Sequence, residues 1–481
     1  MNIKRNFIYN SILTVSGYVF TLITYPYISR VLGVTNVGIV NFIDGLINYF
    51  IMFAMLGIST VGIREVVINK SDKTKLSKTF SGVLLLNTAS TLVAIIALLI
   101  GMHTVPQLSP HRDLLYIGVC KLLFNLFLIE WFFTGMENFA YITKRSIFIK
   151  TLYVASVFGF IHEASDYKMY YLLCVAAVIA NGLVNIAYCR KFVTFTFHDL
   201  HIKRYLGTFF SVGFYVIICS MYTSFNVAWL GFAAGTDEVG YYTTATKLHT
   251  IIIALLTAFQ NVMFPRVTSL LAEGKHDEYY EKLNISVDSL LAFCIPTIIL
   301  SIIFAPSILH FLVGDGYEGA YLPFRIIMPL ILIIGYEQII CIQILLAMKQ
   351  EKKLLINSCI GAMVGLLLNF LIVGRMGAVG SAIVWLSSEL AVMVGAQYCV
   401  IKKAQFFIPW RSILKYGLVY LPMAVGLVII YHYCDYSDLV MISIAMAFTV
   451  VYSIVAQLIV LKNVICIQYF HKIVHLIKPN S

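Results

Sequence analysis

Long apolar runs separated by short polar joints dominate this chain. A helix needs about 20 mainly apolar residues to cross a bilayer. Fourteen stretches fit that pattern: 7–29, 37–62, 80–101, 114–134, 146–161, 169–189, 209–232, 241–264, 285–305, 323–347, 354–373, 379–401, 416–434 and 439–461. The expected fold is an all-α membrane protein with about 14 transmembrane helices. The polar stretch KFVTFTFHDLHIKRYLG after the sixth span divides the chain. The expected domains are an N-terminal six-helix bundle at 1–200, a second at 201–403, and two extra helices with a tail at 404–481.

The two halves carry a faint repeat. TNVGIVNFIDG opens the second span and TDEVGYYTTATKL the eighth, and 26 residues separate Gly38 from Arg64 and Gly240 from Arg266. Parallel repeats of this kind belong to transporters that rock one bundle against another, so a pseudo-two-fold relation between the bundles is expected.

Composition agrees with the pattern. Hydrophobic residues make up 60% of 481 and charged residues 12%, against about 25% charged in an ordinary soluble domain. The net charge of +11 would suit nucleic acid. Topology explains it instead. With fourteen spans, both termini and six loops share one side, and that side holds 27 of the 34 Lys and Arg residues. Cytoplasmic loops collect such an excess. Both termini are therefore expected in the cytoplasm, and nucleic-acid binding drops out. The start, MNIKRNFIYNSILTVSGYVF, reads as a first transmembrane helix rather than a cleaved signal. The ten cysteines lie in or beside apolar runs without CxxC or Cys/His metal spacing, so no metal or cofactor is expected.

Helical spacing sorts the polar residues inside the spans. Thr243, Lys247, Thr250, Ala254, Thr257 and Asn261 follow steps of three and four in the eighth span. Asn41, Asp44 and Asn48 do the same in the second. Such steps share one helix face, and neither face suits lipid. A charge at the bilayer centre costs about 3 kcal/mol on insertion scales. Lys247 lies about 10 Å along its helix from Gly240, and Asp44 lies at a matching depth after Gly38. Lys247 reads either as a structural ion-pair partner or as a cation waiting for an anion in a translocation cavity. Asp44, Asp288, Glu337 and Glu389 are ion-coupling candidates, with hydrogen-bonded packing as the competing reading. His249 reads as a packed core residue. Pro26 and Pro296 sit inside spans and would kink them. The C-terminal QYFHKIVHLIK is a short amphipathic piece suited to a membrane surface. No P-loop, HExxH or GxSxG occurs.

Several stretches resemble one family. YNSILTVSGYVFTLITYPYISRVLGVTNVGIVNF resembles the opening of bacterial Wzx-type polysaccharide flippases, within the multidrug/oligosaccharidyl-lipid/polysaccharide exporter superfamily. IEWFFTGMENFAYITKRS, VGYYTTATKL and VGDGYEGAYLPFRI are similar to further family stretches. The resemblance implies two six-helix bundles around a cationic cavity and no enzymatic activity. It implies movement of undecaprenyl-pyrophosphate-linked oligosaccharide units to the outer leaflet by alternating access, for O-antigen, capsule or exopolysaccharide. Its head group would meet Lys247, Arg30 at the outer mouth, Arg64 and Arg266 at the inner mouth, and Asn41, Asn48, Thr243 and Thr250. The partners implied are the bilayer, the lipid-linked glycan, a glycan polymerase and other assembly proteins. A peptidoglycan-precursor flippase or cation-coupled drug exporter is the alternative. A membrane glycan polymerase or glycosyltransferase is more distant, since no loop is long enough for a catalytic domain.

Overall fold

The computed structural model describes residues 3–196, 198, 200, 202–220, 224–434, 436–463 and 466–467. The amphipathic stretch at 468–478 lies outside them. Helices make up nearly all of the described chain, and no strand occurs among the described residues. Ten helical stretches there are long and apolar enough to cross a membrane. Many large apolar side chains, among them Val93, Phe214, Met363, Leu418 and Val451, are exposed. In water such a surface would be a liability; in a bilayer it is the surface that lipid covers. The chain is a multi-pass membrane protein.

Two compact units divide the chain, Met1–Gly240 and Tyr241–Ser481. The first contains α1 (Ile3–Met55), α2 (Ile58–Asn69), α3 (Lys73–Thr104), α4 (Arg112–Asn125) and α5 (Glu130–Gly135). It continues with α6 (Phe139–Phe160), α7 (Tyr167–Cys189), α8 (Lys203–Ser220), α9 (Ser224–Ala234) and the start of α10 (Thr236–Ala272). At 1.5 Å per residue, α1 would be about 80 Å long if straight, far more than a bilayer core of about 30 Å. It breaks at Gly33, whose φ is 73°. A residue without Cβ takes that conformation at little cost.

The expected second span, 37–62, is interrupted. The helix stops at Met55 and restarts at Ile58, with Leu56 at φ 30°. Gly57 lies so close to α8 that a Cβ there would sit 2.6 Å from the Phe209 carbonyl oxygen. The start of α3 is fixed by Asp72, whose carboxylate accepts the Thr74 N–H at 2.9 Å and the Lys75 N–H at 3.1 Å. These bonds, first that from Lys75, hold its carboxyl below the usual carboxylate range.

The sequence IEWFF builds a core at one end of this unit. Trp131 stacks on Phe80 at 5.6 Å and 29° between planes, with Phe132 and Phe133 buried beside it. Gly62 of α2 lies flat against the indole: a Cβ there would be 2.4 Å from Trp131 Cε3. Overpacking a close contact of this kind costs about 1–3 kcal/mol. Gly62→Ala should therefore lower the thermal midpoint of detergent-purified protein. Gly159→Ala, which meets open space, should not.

The second unit contains the rest of α10, α11 (His276–Ile303), α12 (Ala305–Val313), α13 (Tyr321–Ile327), α14 (Leu330–Gln338) and α15 (Glu351–Leu368). It ends with α16 (Gly374–Ala404), α17 (Trp410–Tyr433) and α18 (Asp438–Val455). The expected span 323–347 is also broken. Pro329 separates α13 from α14, and the helix then widens into π turns over Ile339–Leu346. A proline has no N–H to continue the ladder. Pro26 and Pro296 remain inside α1 and α11. A second glycine break, Gly377 with φ 55°, lies in α16.

Candidate functional site

In the first unit, the polar face of α1 has a cation from another helix. Lys121 of α4 places Nζ 2.6 Å from Asp44 Oδ1 and donates to Asn48 Oδ1 at 2.9 Å. Asn48 Nδ2 closes the group by donating to Asp44 Oδ2 at 3.0 Å. Asp44 and Asn48 are four residues apart, so the helix presents both to the same ammonium. The Lys121 side chain is 13% exposed and that of Asp44 30%. Asn41 is half-buried on the same helix, and Arg30 is exposed.

Lys121 did not stand out in the sequence beyond being a charge inside a span. A signal was available. Lys121 lies about 13 Å along α4 from Arg112, a depth comparable with that of Asp44.

Several other first-unit charges form ion pairs. Arg64 donates to the buried carboxylate of its neighbour Glu65 at 3.0 Å, with Arg204 4.0 Å from the other oxygen. Arg64 is thus engaged where an inner-mouth cation was expected. Around the Trp131 core, Arg145 pairs with Glu130 at 2.9 Å and bonds Asn185. Lys70 pairs with Glu137 at 2.8 Å and holds that carboxyl below its usual range.

In the second unit, α10 carries buried Thr243 and half-buried Lys247, both engaged by other groups. Thr250 and Thr257 turn back on their own helix, donating to the carbonyls of Thr246 at 2.8 Å and Ile253 at 3.1 Å. Arg266 is exposed near the helix end. His249 is 1% exposed and lies edge-on to Trp385 at 5.0 Å, a core histidine.

The acidic candidates divide by partner. Asp288 of α11 is half-buried and faces Lys415 of α17. Glu337 of α14 and Glu389 of α16, 52 positions apart in sequence, meet within hydrogen-bonding contact. The Trp385 indole N–H donates to Glu389 Oε1 at 3.0 Å, while Glu337 Oε2 is sealed from solvent without a donor. Two carboxyl groups in such contact are suited to sharing a proton or holding a small cation. Among the described residues, no group of three or more His, Cys, Asp or Glu side chains could hold a metal ion.

Comparison with known proteins places this arrangement. A model of the family described as "Polysaccharide biosynthesis protein" matches residues 3–271. The chain belongs to this family. Within reach of it, a protein of Escherichia coli K12 named "Putative O-antigen transporter" is 26% identical over 399 residues. That alignment covers 82% of this chain and 95% of the relative. A Shigella dysenteriae protein of the same name is 23% identical, covering 81% and 98%.

Two solved structures show the fold. "Lipid II flippase MurJ, inward closed conformation" superposes with a TM-score of 0.76 at 16% identity, over 94% of this chain and 98% of that one. An inward-facing multidrug resistance MATE family transporter of the MOP superfamily gives 0.57 at 14%, over 80% and 96%. Both curated relatives carry the name of a transporter, and neither name is that of an enzyme.

Proposed function

We propose that the protein is a flippase for undecaprenyl-pyrophosphate-linked oligosaccharide repeat units. It would move them from the inner to the outer leaflet of the bacterial cytoplasmic membrane for surface polysaccharide assembly. Both termini would be cytoplasmic, and a glycan polymerase would take up the product. The observation that carries the reading is the alignment along 95% of the "Putative O-antigen transporter" of Escherichia coli.

The residues suit that cargo. Lys121 joins Lys247, Arg30 and Arg266 as intramembrane or mouth cations for a pyrophosphate, with Asn41, Asn48, Thr243 and Thr250 as neutral donors and Arg64 already held by Glu65. Ammonium and guanidinium groups complement phosphate by charge and hydrogen bonds. Alternating access driven by an ion gradient would use Asp44, Asp288, or the Glu337–Glu389 pair. A peptidoglycan-precursor flippase is the second reading, favoured by the TM-score of 0.76 to MurJ. It stands second because a fold shared at 16% identity carries no cargo.

Purified protein in proteoliposomes should transfer a fluorescent undecaprenyl-pyrophosphate oligosaccharide between leaflets and leave lipid II in place. Lys247→Ala should slow transfer while the protein remains inserted. Preference for lipid II would favour the second reading, and transfer indifferent to every ion gradient would remove the coupling role.

A further inference from the structure

A cluster on the second unit, apart from the intramembrane groups, has a defined proton requirement. His310 lies in the last turn of α12, Asp315 in the turn that follows, and Asp438 in the first turn of α18. The imidazole faces a carboxylate on each side. Nε2 is 2.9 Å from Asp315 Oδ1, and Nδ1 is in close contact with Asp438 Oδ2. A neutral imidazole has one N–H and one acceptor nitrogen; only imidazolium donates from both. With either tautomer of the neutral ring, a lone pair would point at an anion.

The two carboxylates have different freedom. Asp438 opens α18, where the helix N-terminus favours a negative charge, and its side chain is 27% exposed. Asp315 is 95% exposed, in a turn whose flanking glycines have φ of 83° and 82°. Loss of one proton would release Asp315 more readily than Asp438. Other titratable groups facing the cluster among the described residues are Glu318, Tyr321 and Tyr431. Both aspartates, Asp438 first, hold the His310 pKa above its ordinary value against mild desolvation.

We propose that His310, Asp315 and Asp438 form a proton-operated clasp that fastens the start of the last helix to α12. The sign follows from the direction of the shift. A histidine raised on folding stabilises the fastened state below its unfolded pKa of about 6.5. That contribution is lost as pH rises through the raised value. The clasp is closed on the acid side and open on the alkaline side, so the hold on α18 follows the pH of the compartment its loop meets. It does not depend on the cargo.

Full-length protein with ¹⁵N-labelled histidine, in lipid nanodiscs, provides the test. His310→Gln assigns the His310 signals by their disappearance. Both ring nitrogens should carry protons at pH 6, with a midpoint above that of free histidine, and Asp438→Asn should lower the midpoint more than Asp315→Asn. Hydrogen exchange, corrected for intrinsic rates, should show 305–318 and 438–446 losing protection from pH 6 to pH 9 in the native chain but not in His310→Gln. A singly protonated ring with an unshifted midpoint would overturn the clasp. So would the same loss of protection in His310→Gln. If His310→Gln does not fold, the exposed Asp315→Asn serves in its place, with a reduced pH response expected and an unchanged one overturning the proposal.

Discussion

Replacing Lys121 with alanine should cut surface glycan export about tenfold or more while leaving the protein in the membrane. Lys121 donates to both Asp44 and Asn48. Losing a hydrogen bond to a charged group costs about 1.5–3 kcal/mol, and a factor of ten in rate corresponds to about 1.4 kcal/mol. Alanine would leave the Asp44 carboxylate inside the membrane without its cation, with Asn48 still donating, and it would remove the cation proposed to meet the head group. Lys121→Arg keeps the charge and should retain much of the export. Asp44→Asn with Lys121→Ala removes both charges. If the double variant recovers export, the pair is structural and Lys121 does not touch cargo. If it stays inactive while inserted, the cation itself is required. Surface polysaccharide staining, normalised to membrane-inserted protein, reads each case.

The second large effect is expected at Gly38. A Cβ there would lie 1.9 Å from the Thr236 carbonyl oxygen and 3.1 Å from the Gly240 nitrogen. On the opposing strand of chain, a Cβ at Gly240 would lie 2.5 Å from the Val34 carbonyl oxygen. The neighbours are backbone atoms, so no rotamer change relieves the overlap. Gly38→Ala must push the start of α10 away from α1, at a cost of about 3 kcal/mol or more by the scale of severe overpacking. Heated detergent extracts should show its monodisperse peak lost at markedly lower temperature, whereas Gly101→Ala, facing open space, should match the native chain. An unchanged midpoint for Gly38→Ala would mean that the two segments separate freely.

The sequence made the helical, membrane-embedded class legible because lipid demands long apolar runs and satisfied backbones. The residue pair Gly38 and Gly240 was visible too, as repeat markers, though their mutual approach was not. Breaks were harder to see. Leu56 has no sequence property that announces a positive φ, and Pro329 was hidden inside an apolar run that satisfied the length rule. Partnerships were hardest. Depth along a helix is readable, which is why Asp44 was matched to Lys247, but azimuth between helices is not. The ion pair of Asp44 with Lys121 of α4 is therefore not written in the local pattern. The contact between Glu337 and Glu389 likewise depends on how α14 and α16 pack, which no local pattern encodes.

The stretch around Trp131 has a consequence for reading relatives of this chain. With the N-terminus it is the most recognisable part of the sequence, and in the structure it is an aromatic keystone: indole on Phe80, glycine under its face, Arg145 and Lys70 tying its flanks. Such a stretch certifies a scaffold. Its aromatic residues are spent on packing against one another, so two chains could share it residue for residue and carry different sugars. Sorting this family by substrate should therefore weight the membrane-embedded polar positions on α1, α4 and α10, and treat the fingerprint as a statement about ancestry alone.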